Sequence, residues 1–451
     1  MATEIVWFRR DARLHDNPAW AAATETDDVV ALFVIDPRLY KPASRRRKAY
    51  LVGGLHDLDG QLSALGGRLR VEYGDPRSVL PRLVSETGAR SVHINREVSP
   101  SGVARDDAVG SVTSLVTHEG TYIHPPGSLL TSSGDFYKVF TPYYRQWRER
   151  PLPAPSSALE SEVWDDPGAG LPENDQANVG EEAAHDLLDS FLGRIDSYEG
   201  GRDHLDGDGS SRLSIAIKYG WLSPADVARR ASGTGADEFL RQLAWRDFFA
   251  QTLVVNPQSV KDSLRPEYRS IRWSTDQSDL SAWQQGRTGF PIVDAGMRQL
   301  LEEGWMPNRV RMITASFLVK DLLIDWRVGE RWFRHQLLDA DVAQNVGNWQ
   351  WVAGTGYDAA PYFRVFNPVA QSRRHDPGGR YVRRWVPEIA SLTDESIHAP
   401  WQADPAELAS AGVELGVTYP FPLVDHAEAR RRAIEEYEAS RSRAVLNQPS
   451  V

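Results

Sequence analysis

The sequence predicts an α/β N-terminal domain with a parallel, doubly wound sheet, followed by an all-α C-terminal domain. Three features of the 451 residues predict this division. Strand-like runs alternate with helix-compatible stretches as far as residue 125. Residues 151–182 are rich in Pro, Ser, Ala and acids and show no periodic pattern of apolar residues. Helical patterns fill the chain after residue 186. We therefore expect an α/β domain at 1–130, a connection at 131–193, a helical domain at 194–440 and a short tail at 441–451.

Five short apolar or β-branched runs near the N-terminus are typical of buried strands. Longer stretches with helical character separate them, at 44–65 and 76–87. Strands spaced by helices predict parallel pairing with right-handed crossovers. No Gly-x-Gly-x-x-Gly follows the first run, which argues against a nicotinamide-dependent dehydrogenase. The runs are Ile5–Phe8, Val29–Ile35, Leu69–Tyr73, Ser91–Ile94 and Ser114–Thr117.

The second half of the chain predicts helices throughout. Pro307 stands directly before one of them, where the fixed φ of proline suits a helix start. The clearest helical patterns cover Asp237–Leu253, Ile292–Glu302, Asn308–Ile324 and Glu330–Leu338.

Composition excludes several classes of protein. The chain contains no cysteine, so disulfides, thiol catalysis and cysteine-held zinc or iron–sulfur clusters are excluded. No apolar run approaches the ~18 residues of a transmembrane helix. The N-terminus, Met1–Glu4, has no basic region, which argues against a signal peptide and for a cytoplasmic protein.

Charge and tryptophan are distributed unevenly. The net charge is −11, yet residues 364–384 hold six arginines and one acid, whereas 151–193 and 386–426 hold acids and no Lys or Arg. A basic face is one interpretation of the arginine cluster, and a solvated loop is the other. Eleven of the 15 tryptophans lie between Trp221 and Trp401, which suits a core, a cofactor cavity, a base-stacking pocket or an electron path.

Four polar stretches of the helical half are candidates for chemistry. Small hydroxyls at 210–214 suit a phosphate at a helix start, or simply a helix cap. Asp339 and Asp341 are either metal ligands or partners of an arginine such as Arg311, and no histidine accompanies them. The other two stretches place Asn308, Arg311 and Met312 on one helix face, and Gln242 and Trp245 on another. Residue patterns thus indicate a polar cofactor site lined with tryptophan.

The same stretches resemble the DNA photolyase/cryptochrome family, and most closely its class I cyclobutane pyrimidine dimer photolyases. Val6–Pro18, VWFRRDARLHDNP, resembles the family's first strand and loop, and Gly286–Leu300, GRTGFPIVDAGMRQL, resembles its most recognisable stretch. Met312–Arg331 and Trp349–Pro368 follow the family almost without gaps. The resemblance implies the two domains predicted above, the first of the antenna-binding type and the second holding FAD.

For the FAD site, the resemblance implies a folded-back cofactor held by the helical domain. Tyr198 and Ser210–Ser214 would hold its phosphates and ribityl region, and Arg311 with Asp339 would form an ion pair beside the flavin ring. Asn345 would face the flavin N5, where an amide can accept from the N5–H of reduced flavin. No metal ligand is expected. The expected cofactor-binding residues are Tyr198, Ser210, Ser211, Arg212, Leu213, Ser214, Arg246, Arg311, Asp339, Ala340, Asp341 and Asn345.

The activity that the resemblance implies is light-driven repair of cyclobutane pyrimidine dimers in DNA. Excited reduced FAD gives an electron to a dimer flipped out of the duplex, the ring splits, and the electron returns. The expected catalytic residues are Asn345, Gln242 and a photoreduction relay of Trp349, Trp326 and Trp273, ordered from the flavin to the surface. Trp245 and Trp351 would bracket the dimer, and the arginines of 364–384 would bind phosphates. The expected DNA contacts are Arg202, Gln242, Trp245, Asn308, Arg309, Met312, Trp351 and Gln371.

Gln242 departs from the family pattern, because dimer photolyases usually have Glu there. An amide donates and accepts hydrogen bonds but supplies no proton. Gln is more typical of (6-4) photolyases and animal-type cryptochromes, yet Asn308 and Met312 stand where (6-4) enzymes carry two catalytic histidines. We therefore favour dimer repair over a blue-light photoreceptor, the main alternative, and over (6-4) repair.

An antenna pigment is implied for the α/β domain, and methenyltetrahydrofolate and 8-hydroxy-5-deazaflavin both stay open. Asn95-Arg96-Glu97 matches locally the place where folate binders use a carboxylate, so Glu97 is either a ligand or a solvated strand end. The expected partner is UV-damaged DNA, and we expect a monomer with no membrane contact.

Overall fold

A computed structural model describes residues 2–174, 176, 178–205, 207 and 209–446. By internal packing the chain forms two compact units, the first containing 1–196 and 211–257 and the second containing 197–210 and 258–451. These units do not follow the predicted bounds at 130, 193 and 440, which stay predictions. Residues 447–451 of the expected tail lie outside the described residues.

A single parallel sheet forms the centre of the first unit, as the sequence predicts. Its strand order is β3-β2-β1-β4-β5, with β6 pairing to the start of β2. The chain starts in the middle of this sheet and winds outward in both directions, so the sheet is doubly wound. β1 and most of β2 are buried, which fits a parallel sheet covered on both faces. The strands are β1 (Thr3–Phe8), β2 (Asp28–Ile35), β3 (Arg70–Tyr73), β4 (Val92–Asn95), β5 (Leu115–His118) and β6 (Glu162–Val163).

The described residues contain 20 α-helices, ten in each unit. In chain order they are α1 (Pro18–Ala23), α2 (Pro37–Tyr40), α3 (Arg45–Ala64), α4 (Pro76–Thr87), α5 (Pro100–Gly110), α6 (Phe140–Glu149), α7 (Glu181–Leu192), α8 (Tyr198–Gly201), α9 (Ser214–Tyr219), α10 (Pro224–Arg230), α11 (Ala236–Val255), α12 (Gln277–Gln284), α13 (Pro291–Glu303), α14 (Asn308–Ser316), α15 (Trp326–Gln336), α16 (Val342–Ala353), α17 (Pro368–His375), α18 (Arg380–Trp385), α19 (Pro405–Ser410) and α20 (His426–Leu446).

The predicted connection at 131–193 is more structured than its composition indicates. It contains α6, α7 and the short strand β6. Helix α6 buries Phe140, Tyr143, Tyr144 and Trp147, which recur at the spacing of one helical face. These aromatic side chains make α6 part of the core of the first unit.

The predicted helix Asn308–Ile324 is helical as far as Asp321, but its second part is not α-helical and its last three residues are not helical. α14 ends at Ser316, a π-helical turn covers Phe317–Asp321, and Leu323 adopts a positive φ of 53° that ends the helical run. A leucine rarely adopts this conformation, so nothing in the apolar pattern marks the end. The turn is buried in the main core of the second unit, which also contains Trp283, Trp326 and Trp349.

Among the described residues, none of the helices combines the length and the apolar character that crossing a membrane requires.

Candidate flavin and DNA site

A cavity in the second unit gathers the polar residues that the sequence indicates on α14 and α16. Arg311, Asp339, Asp341 and Asn345 all line it. The Arg311 guanidinium donates to both carboxylate oxygens of Asp339, at 3.0 and 2.8 Å, and its Nε donates to the Met306 carbonyl at 2.9 Å. Because Asp339 is buried, this bidentate pair neutralises a charge that would be costly alone.

The orientation of the Asn345 amide is determined by Glu330. Asn345 Nδ2 donates to the backbone carbonyl and to Oε1 of Glu330, at 2.9 Å each. Both partners are acceptors, so the nitrogen of the amide must face them. The side-chain oxygen of Asn345 is therefore the atom available to a ligand in the cavity. Burial raises the pKa of Glu330 above its ordinary value.

Asp341 caps the helix that carries Asn345. Its Oδ1 accepts from the Gln344 amide at 3.0 Å, which satisfies one free donor at the start of α16. With Asp339 paired to Arg311, the ion-pair interpretation of this stretch is the one that the geometry supports. Within the described ranges, no three His, Asp or Glu side chains are grouped to hold a metal ion.

The three tryptophans of the expected relay belong to one aromatic region of the second unit. Trp349 lines the cavity and packs edge-on against Phe333, with ring centroids 4.9 Å apart. Trp326 is fully buried, and its Nε1 has no acceptor among the described residues. Trp273 is half-buried and packs against the same core. Exposure is thus greatest at Trp273, the expected surface end of the relay.

Of the expected DNA contacts in the second unit, two line the same cavity. These are Asn308 and Met312, whose Nδ2 and Sδ lie 3.5 Å apart. Arg309 pairs with Asp203, and Trp351 is half-buried. Gln371 Oε1 is buried and accepts no hydrogen bond from any described residue, so a ligand donor would satisfy it. Arg202 stacks over the ring of Tyr198, 5.8 Å from its centroid.

Several expected site residues belong to the first unit. Gln242 Nε2 donates to Glu238 Oε1 at 2.9 Å, and Trp245 stacks flat on Phe140 with centroids 3.8 Å apart. Arg246 donates to the Thr121 carbonyl at 2.7 Å. Ser214 begins α9, directly after the segment Ser211–Leu213, in which Arg212 has a positive φ of 55°. The roles expected of these residues, and of Ser210 and Tyr198, stay predictions.

Comparison with known proteins identifies the family to which this chain belongs. Residues 4–159 match the family model described as DNA photolyase, and residues 239–439 match the FAD binding domain of DNA photolyase. The deoxyribodipyrimidine photo-lyase of Streptomyces griseus is 42% identical, over 96% of this chain and 98% of the relative. The chain belongs to the DNA photolyase family.

Two solved photolyase structures have the same fold over nearly the whole chain. A bacterial class III photolyase from Agrobacterium tumefaciens superposes with a TM-score of 0.91 at 38% identity, covering 98% of both chains. An archaeal photolyase from Sulfolobus tokodaii, described with two FAD molecules that imply a novel light-harvesting cofactor, gives a TM-score of 0.84 at 31% identity over 97% of this chain and all of the other. FAD is the cofactor of the matched C-terminal domain.

The cavity residues of this photolyase fit a flavin. Asn345 offers a fixed acceptor oxygen, Arg311 a guanidinium whose charge is balanced by Asp339, and Trp349 with Phe333 an aromatic wall. A hydrogen-bond acceptor and donors can recognise the polar edge of an isoalloxazine ring, and a flat apolar surface can contact its faces.

A second cavity, of about 610 Å³, lies in the first unit at the carboxyl ends of the parallel strands. Arg9 and Arg10 follow β1 into it, Asp36 follows β2 and Glu97 follows β4. The switch point of a doubly wound sheet lies between β1 and β4 and is a common ligand site.

Glu97 is buried in this cavity's wall and pairs with Arg10 at 3.3 Å. The alternative that it is a solvated strand end was therefore wrong. Burial alone raises a carboxyl pKa, but Arg10, Arg9 and Arg105 together hold the pKa of Glu97 below its ordinary value.

Two residues with clear roles were missed by sequence reasoning. Glu330 lies 15 residues before Asn345, and no spacing rule joins them. Lys320 donates to the carbonyls of Ala353 and Tyr362 at 3.2 and 3.3 Å, and burial lowers its pKa to about 7. A single lysine within the apolar run 312–324 was the available signal for this buried amine.

Proposed function

We propose that this protein repairs cyclobutane pyrimidine dimers in DNA by light-driven electron transfer, with FAD bound in the cavity of the second unit. The observation that carries the proposal is the fixed Asn345 amide beside the Arg311–Asp339 pair. Membership in the DNA photolyase family and relatives named deoxyribodipyrimidine photo-lyase support it.

Bound FAD supplies, when reduced and excited by light, the electron that splits the dimer. The chain's own residues bind and tune it. Asn345 Oδ1 would accept from the N5–H of a bound reduced flavin, and this hydrogen bond would favour the reduced form over the oxidised form, whose N5 carries no proton. Glu330 keeps the amide from turning over. Arg311 is held in place by two hydrogen bonds to Asp339, so its charge would stay at a constant position in the cavity that holds the flavin.

The dimer would enter at the side of the cavity lined by Asn308 and Met312. Both side chains are uncharged, so they bind pyrimidine carbonyls and methyl groups without supplying a proton. Gln371 has an unsatisfied buried oxygen that a pyrimidine N3–H or a backbone donor would pair. Trp351 and Trp245 would stack against the flipped bases, because base–aromatic stacking tolerates any pyrimidine.

Gln242 has a structural reason to differ from the family's usual Glu. Its amide donates to Glu238 Oε1 four residues earlier on α11. A carboxylate at 242 would face another carboxylate at this position and repel it. Gln242 therefore offers the dimer an amide that neighbouring Glu238 orients.

Trp273, Trp326 and Trp349 would restore the reduced flavin by passing an electron inward. Trp326 Nε1 has no acceptor among the described residues, so the indole would keep its proton when it gives up an electron. Trp273 is the member with solvent access, where an external reductant can reach it.

For the antenna pigment, the cavity of the first unit is the supported location. Arg9, Arg10, Arg38, Arg47 and Arg105 line it, with Lys48 and Lys218, and three acids oppose them. The excess of cations favours a pigment with a carboxylate or phosphate tail, such as the glutamate tail of a folate, whereas the ribityl chain of 8-hydroxy-5-deazaflavin is uncharged. The Sulfolobus relative's second FAD is another pigment with such a tail. A cytoplasmic location and a monomeric state stay predictions.

The test gives photoreduced protein an oligonucleotide with one thymine dimer and follows the return of thymine absorbance under blue light. A (6-4) lesion runs alongside, and the Asn345→Leu variant serves as the matched control. We expect recovery on the dimer alone. If the flavin is photoreduced normally but thymine absorbance returns on neither lesion, the proposal of DNA repair is overturned and a blue-light photoreceptor is favoured.

A further inference from the structure

A further cavity of the second unit, of about 740 Å³, shares no lining residue with the flavin cavity. Its volume lies within the range of about 300–1,000 Å³ that is usual for small-molecule sites. We name it the basic-aromatic cavity, and the residues that define it are Phe290, Asn367, Arg373, Arg374, Trp401 and Gln402.

Two cations on helix α17 form one wall of the basic-aromatic cavity. Arg373 and Arg374 are exposed, and no carboxylate of the described residues forms an ion pair with either. The next arginines along the chain behave differently, since Arg383 pairs with Asp394 and Arg384 with Glu303. Two adjacent unpaired guanidinium groups facing a cavity suit a phosphate, which they can bind through several charge-assisted hydrogen bonds.

Aromatic rings form another part of the wall. Phe290 is buried and contacts the half-buried Trp401 edge-on, with centroids 5.1 Å apart at an angle of 65°. An edge contact leaves a face of the Trp401 ring to other partners. Asn367 Oδ1 caps α17 by accepting from the Ala370 amide at 3.0 Å, which leaves its NH₂ group as a donor. An indole face beside amide groups suits a nucleic-acid base.

Two further charged groups line the basic-aromatic cavity. Asp425 Oδ1 accepts from the Glu428 amide at 2.9 Å, and His426 pairs with the buried Asp321. One acid therefore opposes two arginines, and the cavity keeps a net positive charge.

We propose that the basic-aromatic cavity binds one nucleotide, with its base against Trp401 and its phosphate at Arg373 and Arg374. Gln371 lies one helical turn before Arg374 on the same helix, so the expected source is a nucleotide of the damaged strand outside the dimer. A free nucleoside monophosphate has the same chemistry. The choice of a DNA strand rests on the proposed function, whereas the nucleotide site itself does not.

The test measures binding of a labelled oligonucleotide with one central dimer, by fluorescence anisotropy from about 50 to 200 mM salt. Because each phosphate contact contributes about 0.9 to the salt slope, R373Q/R374Q should lower the slope by about 1. Trp401→Leu should weaken binding on the order of tenfold without changing the slope, and Trp401→Phe should stay near wild type. Arg90→Gln removes one positive charge, half of what R373Q/R374Q removes, from an exposed arginine of the first unit and is the control.

Two arms separate the sources of the nucleotide. Oligonucleotides shortened on one side of the dimer should abolish the effect of the variants if the strand supplies the nucleotide. Thymidine monophosphate, measured by equilibrium dialysis, should bind wild type and not R373Q/R374Q if a free nucleotide is the ligand. If R373Q/R374Q and Trp401→Leu bind every probe as Arg90→Gln does, the inference is overturned. If wild type repairs no dimer but the variants still differ from the control on undamaged DNA, the proposed function fails and the nucleotide site stands.

Discussion

The Asn345 amide is the most direct place to test how the protein tunes its flavin. Asn345→Leu keeps a side chain of similar size and removes the acceptor oxygen that Glu330 orients towards the cavity. A hydrogen bond to a neutral acceptor contributes about 1–1.5 kcal/mol. For a one-electron couple, about 1.4 kcal/mol corresponds to roughly 59 mV. We therefore expect the one-electron reduction potential of bound FAD to fall by about 40–60 mV.

The assay is spectroelectrochemical titration of the bound flavin, together with the rate of reoxidation in air after photoreduction. Glu330→Gln is the control, because its Oε1 and backbone carbonyl still accept from Asn345 and the amide should keep its orientation. An unchanged potential and unchanged reoxidation in Asn345→Leu, with FAD fully bound, would refute the assignment of Oδ1 as the acceptor for the reduced flavin.

Three other predictions follow from buried contacts. Trp326→Phe should slow blue-light photoreduction of the flavin by an order of magnitude or more, while the chemically reduced variant should still repair dimers at the wild-type rate. A photoreduction rate equal to that of the wild type would contradict the relay. Gln242→Glu should lower the melting temperature by placing a second carboxylate against Glu238, at a cost of about 0.2–0.5 kcal/mol or more, and adding Glu238→Gln should restore it. Lys320 has a folded pKa of about 7 against 10.5 unfolded, so the unfolded chain binds more protons between these values and stability should rise with pH above 7. Lys320→Met should remove this rise of stability with pH. It should also stabilise the protein at pH 7 by about 1–3 kcal/mol, a net value from which the loss of the two Lys320 hydrogen bonds has been subtracted. If the melting temperature of Lys320→Met depended on pH as strongly as that of the wild type, this reasoning would be refuted.

The sheet was predictable because each strand is a short apolar run between clear breaks, and all five predicted strands are present within two residues of their expected bounds. Helix α6 was missed because it lies beside a Pro- and acid-rich stretch, although its four buried aromatics recur at helical spacing. The end of α14 carried no signal, since Phe317–Leu322 is buried throughout and the positive φ at Leu323 is a tertiary effect.

The candidate site was predictable to the extent that its residues form motifs. Arg311, Asp339 and Asn345 meet at one cavity as expected. Contacts between distant parts of the sequence were not predictable, and Glu330 with Asn345 is the clearest case, because a buried carboxyl acquires its partner only when α15 packs on α16. Gln371 was expected from its motif, but only packing reveals that its oxygen is buried and unsatisfied.

Each compact unit is assembled from two separate stretches of chain, with crossings after residues 196, 210 and 257. A fragment ending at residue 196 would lose α11, whose Trp245 stacks on Phe140 of α6 and whose Phe248 contacts the same ring edge-on. Recombination between relatives at residue 196 would therefore require α6 of one parent to pack against α11 of the other. An exchange of the first unit between family members must join three junctions at once, which favours inheritance of the two units together.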